Sequence, residues 1–127
     1  MPRGFRYDNQ ISLGQLIDAL GRREDDQKVR FDFGYMHPTG LHSYRGFYED
    51  LAIGHTDEGE APTVKEFLTQ LREAVGETFH GWKGGSYRMD HDSSLWVDQS
   101  SHASGTIVTG IAESSWQTVI TTAFVDV

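Results

Sequence analysis

The hydrophobic positions change period along the chain. Leu13, Leu16, Ile17 and Leu20 recur three and four residues apart, which places them on one stripe of an α-helix. Ser12 and Gln15 have the S-x-x-Q spacing of a capping box, Ile11 and Leu16 occupy the staple positions, and Gly21 supplies a stop. The same grammar returns from Thr63 to Gly76. There Thr63 and Glu66 form the box, Val64, Phe67, Leu68, Leu71 and Ala74/Val75 the stripe, and Gly76 the stop. Pairing Ser12 with Thr63, Leu16 with Phe67 and Leu20 with Leu71 gives two helix-led halves, although any two well-capped amphipathic helices resemble each other this far.

Elsewhere the period is two. Lys28–Gly34 alternates Val29, Phe31 and Phe33 with Arg30 and Asp32, and Tyr48–Gly54 is again extended after a loop containing Pro38 and Gly40. Ser86–Met89, Leu95–Val97, Thr106–Ile111 and Trp116–Val125 are β-branched or aromatic runs separated by Asp, Ser and Gly. His55–Pro62 is an acidic loop. The pattern predicts an α+β fold, an antiparallel-dominated sheet with two amphipathic helices packed on it. Residues 1–10 form a flexible arm, and residues 11–127 a single ligand-binding domain without an internal linker.

Composition narrows the classes. A chain of 127 residues has the size of one domain, and with no cysteine it has neither disulfides nor thiolate metal sites. Met1–Gln10 lacks the apolar stretch of a signal peptide and no later run is long enough to span a bilayer, so a cytoplasmic protein without membrane association is expected. A net charge of −8 argues against a general binder of polymeric nucleic acid. A small anion can still bind locally, and Lys28, Arg30, Arg45, Lys83 and Arg88 confine the means to the middle of the chain.

Two segments there combine rings, glycines and cations. Ser43-Tyr44-Arg45-Gly46-Phe47-Tyr48 reads either as a sheet edge with core aromatics or as a site. In a site, Arg45 forks onto phosphate, Gly46 admits a ligand to the backbone, and Tyr44 or Tyr48 offers a ring face or hydroxyl. The stretch from Phe79 to Arg88 holds Gly81, Gly84 and Gly85 with Phe79, Trp82, Tyr87, Lys83 and Arg88. Gly84-Gly85 before a strand fits an ordinary hairpin turn, but a turn alone has no use for Trp82 and Lys83, which suit stacking on a base beside a phosphate. This is no P-loop, because Lys83 precedes the paired glycines. Asp90-His91-Asp92 would need a turn to converge on a metal, and no serine near Ser100–Ser104 sits in a nucleophile elbow. No catalytic residue, cofactor or metal is assigned.

The order of the Ser12 cap, K-V-R-F-D-F-G at Lys28–Gly34, S-Y-R-G-F-Y-E-D-L-A-I-G at Ser43–Gly54, T-V-K-E-F-L at Thr63–Leu68, T-F-H-G-W-K-G-G-S-Y at Thr78–Tyr87 and S-L-W-V at Ser94–Val97 resembles a family of short phage proteins, the Thoeris anti-defence family, first type. The resemblance runs from about Ile11 to Ile111, and S-Y-R-G-[FY]-Y and T-F-x-G-[WY]-K-G-G are its specific parts. It implies a non-enzymatic sponge that sequesters a cyclic ADP-ribose-type signal (glycocyclic ADP-ribose) uncleaved in the infected bacterial host and so inhibits Thoeris defence. It further implies a dimer or hexamer and, in some members, a place for cyclic oligonucleotides. Carried onto this chain, it implies a ligand site from Ser43, Tyr44, Arg45, Gly46, Tyr48, Phe79, Trp82, Lys83, Gly84, Gly85, Tyr87 and Arg88. Phe79 and the Trp82–Tyr87 loop lie near adenine and ribose in that reading, and Arg45 or Lys83 near the pyrophosphate. The competing classes are a metal-dependent nucleotide hydrolase using Asp90 and Asp92, and a structural or interaction protein of the phage particle.

Overall fold

The computed structural model describes residues 7–44, 47–80, 85–98, 104–112 and 114–126, the backbone alone at 47, 48, 104 and 126. The elements are α1 (Leu13–Leu20), β1 (Lys28–Phe31), β2 (His37–Tyr44), β3 (Phe47–Thr56), α2 (Val64–Ala74), β4 (Thr78–His80), β5 (Ser86–Arg88), β6 (Leu95–Val97), β7 (Ser104–Ala112) and β8 (Gln117–Asp126).

Both helices start as their caps predict. The Ser12 hydroxyl accepts from the Gln15 amide while the Gln15 side chain takes the Ser12 N–H at 2.8 Å, and Thr63 with Glu66 repeats the arrangement. The next amides are satisfied too. Leu13 and Gly14 donate to the carbonyls of Ser93 and His91, and Val64 and Lys65 to those of Gln27 and Asp25. The amides of each first helical turn are therefore spent on the fold, which leaves neither helix an N-terminal anion site.

The strands correct the predicted architecture. Among the described residues strands make up 47% and helices 18%, and the sheet is mixed rather than antiparallel-dominated. Six strands run in the order β1-β8-β7-β6-β3-β2, with β1 parallel to β8, β3 parallel to β6, and β4-β5 as a separate antiparallel pair. Between β3 and β6 the chain passes through α2 and the β4-β5 hairpin, long enough to bring it back in the same direction. β1 and β2 stand at opposite ends of the order yet are joined by a tight turn, in which Met36 donates to the Phe33 carbonyl and Phe31 to that of Met36. That short connection nearly closes the sheet.

Alternation along the strands makes two cores. Leu51 and Ile53 of β3, Leu95 and Val97 of β6, Val108 of β7 and Ile120 of β8 join Leu13, Leu16, Leu20, Phe67 and Leu71 from the helices. The alternate positions Ala52, Trp96 and Ile107 form a second cluster with Tyr44, covered in part by Tyr7. The segment with Pro38 and Gly40, predicted as a loop, is strand β2. It accommodates them through a register shift between Pro38 and Leu41, where one extra residue relieves the pairing a proline cannot make.

Candidate functional site

The two motif segments are two hairpins. β2 and β3 pair antiparallel up to Tyr44 opposite Phe47, after a register shift between Ser43 and Tyr44 that bends the strand just before its tip. β4 and β5 pair Thr78 with Arg88, Phe79 with Tyr87 and His80 with Ser86. The fold sets the hairpins side by side, β4 against β2 and β5 against β3. Segments more than thirty positions apart in sequence are thus neighbours. Arg45, Gly46, Gly81, Trp82, Lys83 and Gly84, the tips that carry most of the proposed recognition, lie outside the described residues, as do the side chains of Phe47 and Tyr48.

The described members divide by burial. Tyr44 is a packing residue. It is 5% exposed, and its ring lies on Trp96 at 4.2 Å between centroids and 10° between planes, so one face is already occupied. Trp96 in turn donates Nε1–H to Asp50 Oδ2 at 2.9 Å, and Tyr7 meets it edge-on. Burial, then the carboxylate of Asp98, the Tyr7 phenol and the Asp50 carboxylate, push the Tyr44 phenol above its ordinary range. Tyr44 therefore packs the tip end of the first hairpin onto Trp96, with one ring face already spent there.

Ser43 is half-buried beside Leu51. Phe79 and Tyr87 are half-buried and pack on the main core, anchoring the second hairpin, whereas Arg88 is exposed at its foot. Gly85 has φ +86°, where any other residue is strained, and a Cβ there would stand 2.8 Å from the Tyr87 hydroxyl, so the Tyr87 side chain would have to shift. One contact at the neck escaped the sequence reading. His80 Nδ1 lies 3.2 Å from Ser86 Oγ, a cross-strand polar pair that becomes visible only once the hairpin register is known.

Other polar groupings are structural. Asp90 Oδ1 accepts the Asp92 amide at 2.8 Å and Ser93 Oγ accepts the Asp90 amide at 3.0 Å, so the Asp-His-Asp run is a turn that closes onto itself. Among the described residues no group of three or more His, Asp or Glu is arranged to hold a metal ion. Asp98 joins two histidines, its Oδ1 3.1 Å from His42 Nε2 and its carbonyl 3.1 Å from His55 Nε2. Arg23 ties the end of α1 to the β7-β8 connection through Gln27, Thr118 and the carbonyls of Ser114 and Gln117.

A shallow open cavity of about 160 Å³ adjoins the hairpins, lined by Leu41, Gln70, Glu73, Ala74, Glu77 and Phe79. Its two carboxylates repel a pyrophosphate, so this cavity does not suit an anionic ligand.

No protein-family model matches the chain, and no curated protein or solved structure is significantly similar to it. Among the described residues no helix is long and apolar enough to cross a membrane.

Proposed function

We propose that this protein is a phage-encoded sponge that captures a cyclic ADP-ribose-type nucleotide and holds it uncleaved, in the cytoplasm of the infected host, as a homo-oligomer. The observation that supports this reading is the juxtaposition of the β2-β3 and β4-β5 hairpins. In the segments that connect the strands of each hairpin the sequence carries Arg45, Gly46, Trp82, Lys83 and Gly84, the residue types that a nucleotide-sized anion needs.

The magnitudes are adequate. Nanomolar capture requires about −12 kcal/mol. A base stacked on an aromatic ring contributes ~1–3 kcal/mol, and a hydrogen bond to a charged group ~1.5–3 kcal/mol. Anchoring matters as much as contacts, because a floppy loop loses affinity to ordering. Phe79 and Tyr87 in the main core and Tyr44 on Trp96 anchor the two stems. Tyr35, Trp116 and Phe124 stand 87%, 70% and 80% exposed, apolar surface that subunit contacts would cover.

The test is stoichiometric. Incubated with a cyclic ADP-ribose isomer, the protein depletes free ligand one-to-one per site, and heat denaturation returns the ligand unchanged on chromatography. Arg45→Ala and Trp82→Ala each weaken capture while leaving the melting temperature of the free protein within about 2 °C, whereas a role in the core would show as lost stability. Linear ADP-ribose or AMP beyond one equivalent of protein would overturn the sponge in favour of a hydrolase. Light scattering that finds only a 14.3 kDa species at micromolar concentration removes the oligomer.

A further inference from the structure

We propose that the junction between β1 and β2 is an acid-opened seam, which parts as His37 and His55 take up protons while the other strands keep their pairing. The two strands stand at opposite ends of the strand order, and no ladder joins them. Their backbones meet at the Phe33–Met36 turn, where Phe31 donates to the Met36 carbonyl and Met36 to that of Phe33. That turn is itself costly. Gly34 and Tyr35 have φ +56° and +55°, and a tyrosine in the left-handed region is strained. On its other side β1 is held more firmly. It runs in register with Gln117–Ile120 of β8, the Asp32 amide donates to the Ile120 carbonyl, and the Asp32 carboxylate accepts from the Thr122 amide and hydroxyl.

Rings close the seam from within. Phe31 and Phe33 stack at 5.2 Å, and His55 of β3 meets both edge-on, at 6.5 and 5.6 Å between centroids. His55 Nε2 lies 3.1 Å from the Asp98 carbonyl, which can only accept, so the neutral ring carries its proton there and leaves Nδ1 bare. Nδ1 is buried without a partner among the described residues. A second proton on it meets no acceptor until the ring turns away from the two phenyls. His37, the first residue of β2, is 4% exposed and sits opposite Thr56. Burial, then Arg30 of β1, disfavour its charged form, and Asp57, just beyond β3, opposes them. The remaining charged neighbours direct the break. His42 Nε2 stands 3.1 Å from Asp98 Oδ1, so a proton on His42 tightens the tie between β2 and the end of β6. Arg30 donates to the Tyr35 carbonyl, and Asp32 stays with Thr122. Acid therefore strengthens the hold on β2 from β6, loosens His37 and His55 from β1, and leaves β1 on β8.

Neighbouring amides of one strand test this. Phe31 N–H faces the seam and Asp32 N–H faces β8. Amide exchange in the ¹⁵N-labelled full-length protein, corrected for the intrinsic rate, thus reads the two sides of β1 separately. From pH 7.5 to 5.5 the protection of Phe31 and Met36 should fall at least about threefold, and up to about tenfold per histidine, while that of Asp32 stays within about twofold. Equal losses at Phe31 and Asp32 are global unfolding and overturn the seam, as does protection at Phe31 that acid leaves unchanged. His37→Gln keeps a polar side chain that cannot take up the proton, and it should diminish the acid loss at Phe31. A loss undiminished in that variant overturns the part given to His37. Where the variant fails to fold, the His37 ring resonance of the unaltered protein decides. It must titrate below its value in the unfolded chain, and titration at or above that value overturns the seam.

Discussion

Gly105 shows how little room a single residue leaves in the second cluster. A Cβ built there would stand 2.7 Å from Trp96 Cζ3 and 2.9 Å from the Tyr44 hydroxyl, two groups already stacked on each other. Gly105→Ala should cost about 1–3 kcal/mol through overpacking, read as a lowered urea midpoint at unchanged slope. The same tyrosine sets an alkaline limit. Its phenol stays neutral in the fold beyond the pH at which the unfolded chain ionises, so stability is untouched below about pH 10 and falls as pH rises through it. Tyr44→Phe keeps the ring and removes its share of that loss, measurable as a flatter melting curve between pH 9 and 11. His37 works in the acid direction. Burial first, then Arg30, hold its imidazole below the ordinary histidine range, with Asp57 opposing. The unfolded chain therefore takes up a proton before the fold does. Stability is full above about pH 7, is lost as pH falls through 6.5, and levels off below the folded value. Denaturant midpoints at pH 7.5 and 5.5 check the sign. None of this was legible beforehand, because Tyr44 belongs to a ring-rich motif that suits a ligand and a core equally well. Only the pairing of Ala52 with both His42 and Trp96 shows that it shares a sheet face with Trp96.

At the scale of elements, legibility follows the locality of the forces. The helices were readable in full, since a capping box and an apolar stripe are completed within about a dozen residues. Ser12→Ala and Thr63→Ala should each cost about 1 kcal/mol and add to within about 0.5 kcal/mol when combined. Thermal melts of the two single variants and the double decide it. Glu66 adds a mild acid dependence, since its bonds from the Thr63 backbone and hydroxyl hold its carboxyl below the ordinary range. Its support is present above that range and fades as pH falls through the folded value. Strands were readable as runs of residues but not as neighbours. β7 and β8, joined by a short connection, pair as adjacent strands do. The parallel partners β1-β8 and β3-β6 depend on contacts between residues that no local pattern links. β2 was lost to its own punctuation, as Pro38 and Gly40 look like a loop until a bulge absorbs them. Of the candidate site, the two hairpins could be read as segments and their adjacency could not.

For the whole molecule, the parallel pairing of β1 with β8 has a consequence in time. Arg23, just ahead of β1, bonds to Thr118 across 95 residues, and β1 has no sheet neighbour on that side until β8 exists. A ribosome adding roughly 5–20 residues per second needs some 5–20 s to make that stretch, so during synthesis β1 waits without its sheet partner. A chain stopped at Ala112 should therefore lack native amide dispersion in ¹H–¹⁵N spectra, although both helices and seven of the eight described strands are encoded in it. Under the proposed function, capacity to trap a signal would then arrive all at once, with β8, and no fragment lacking it would compete for ligand.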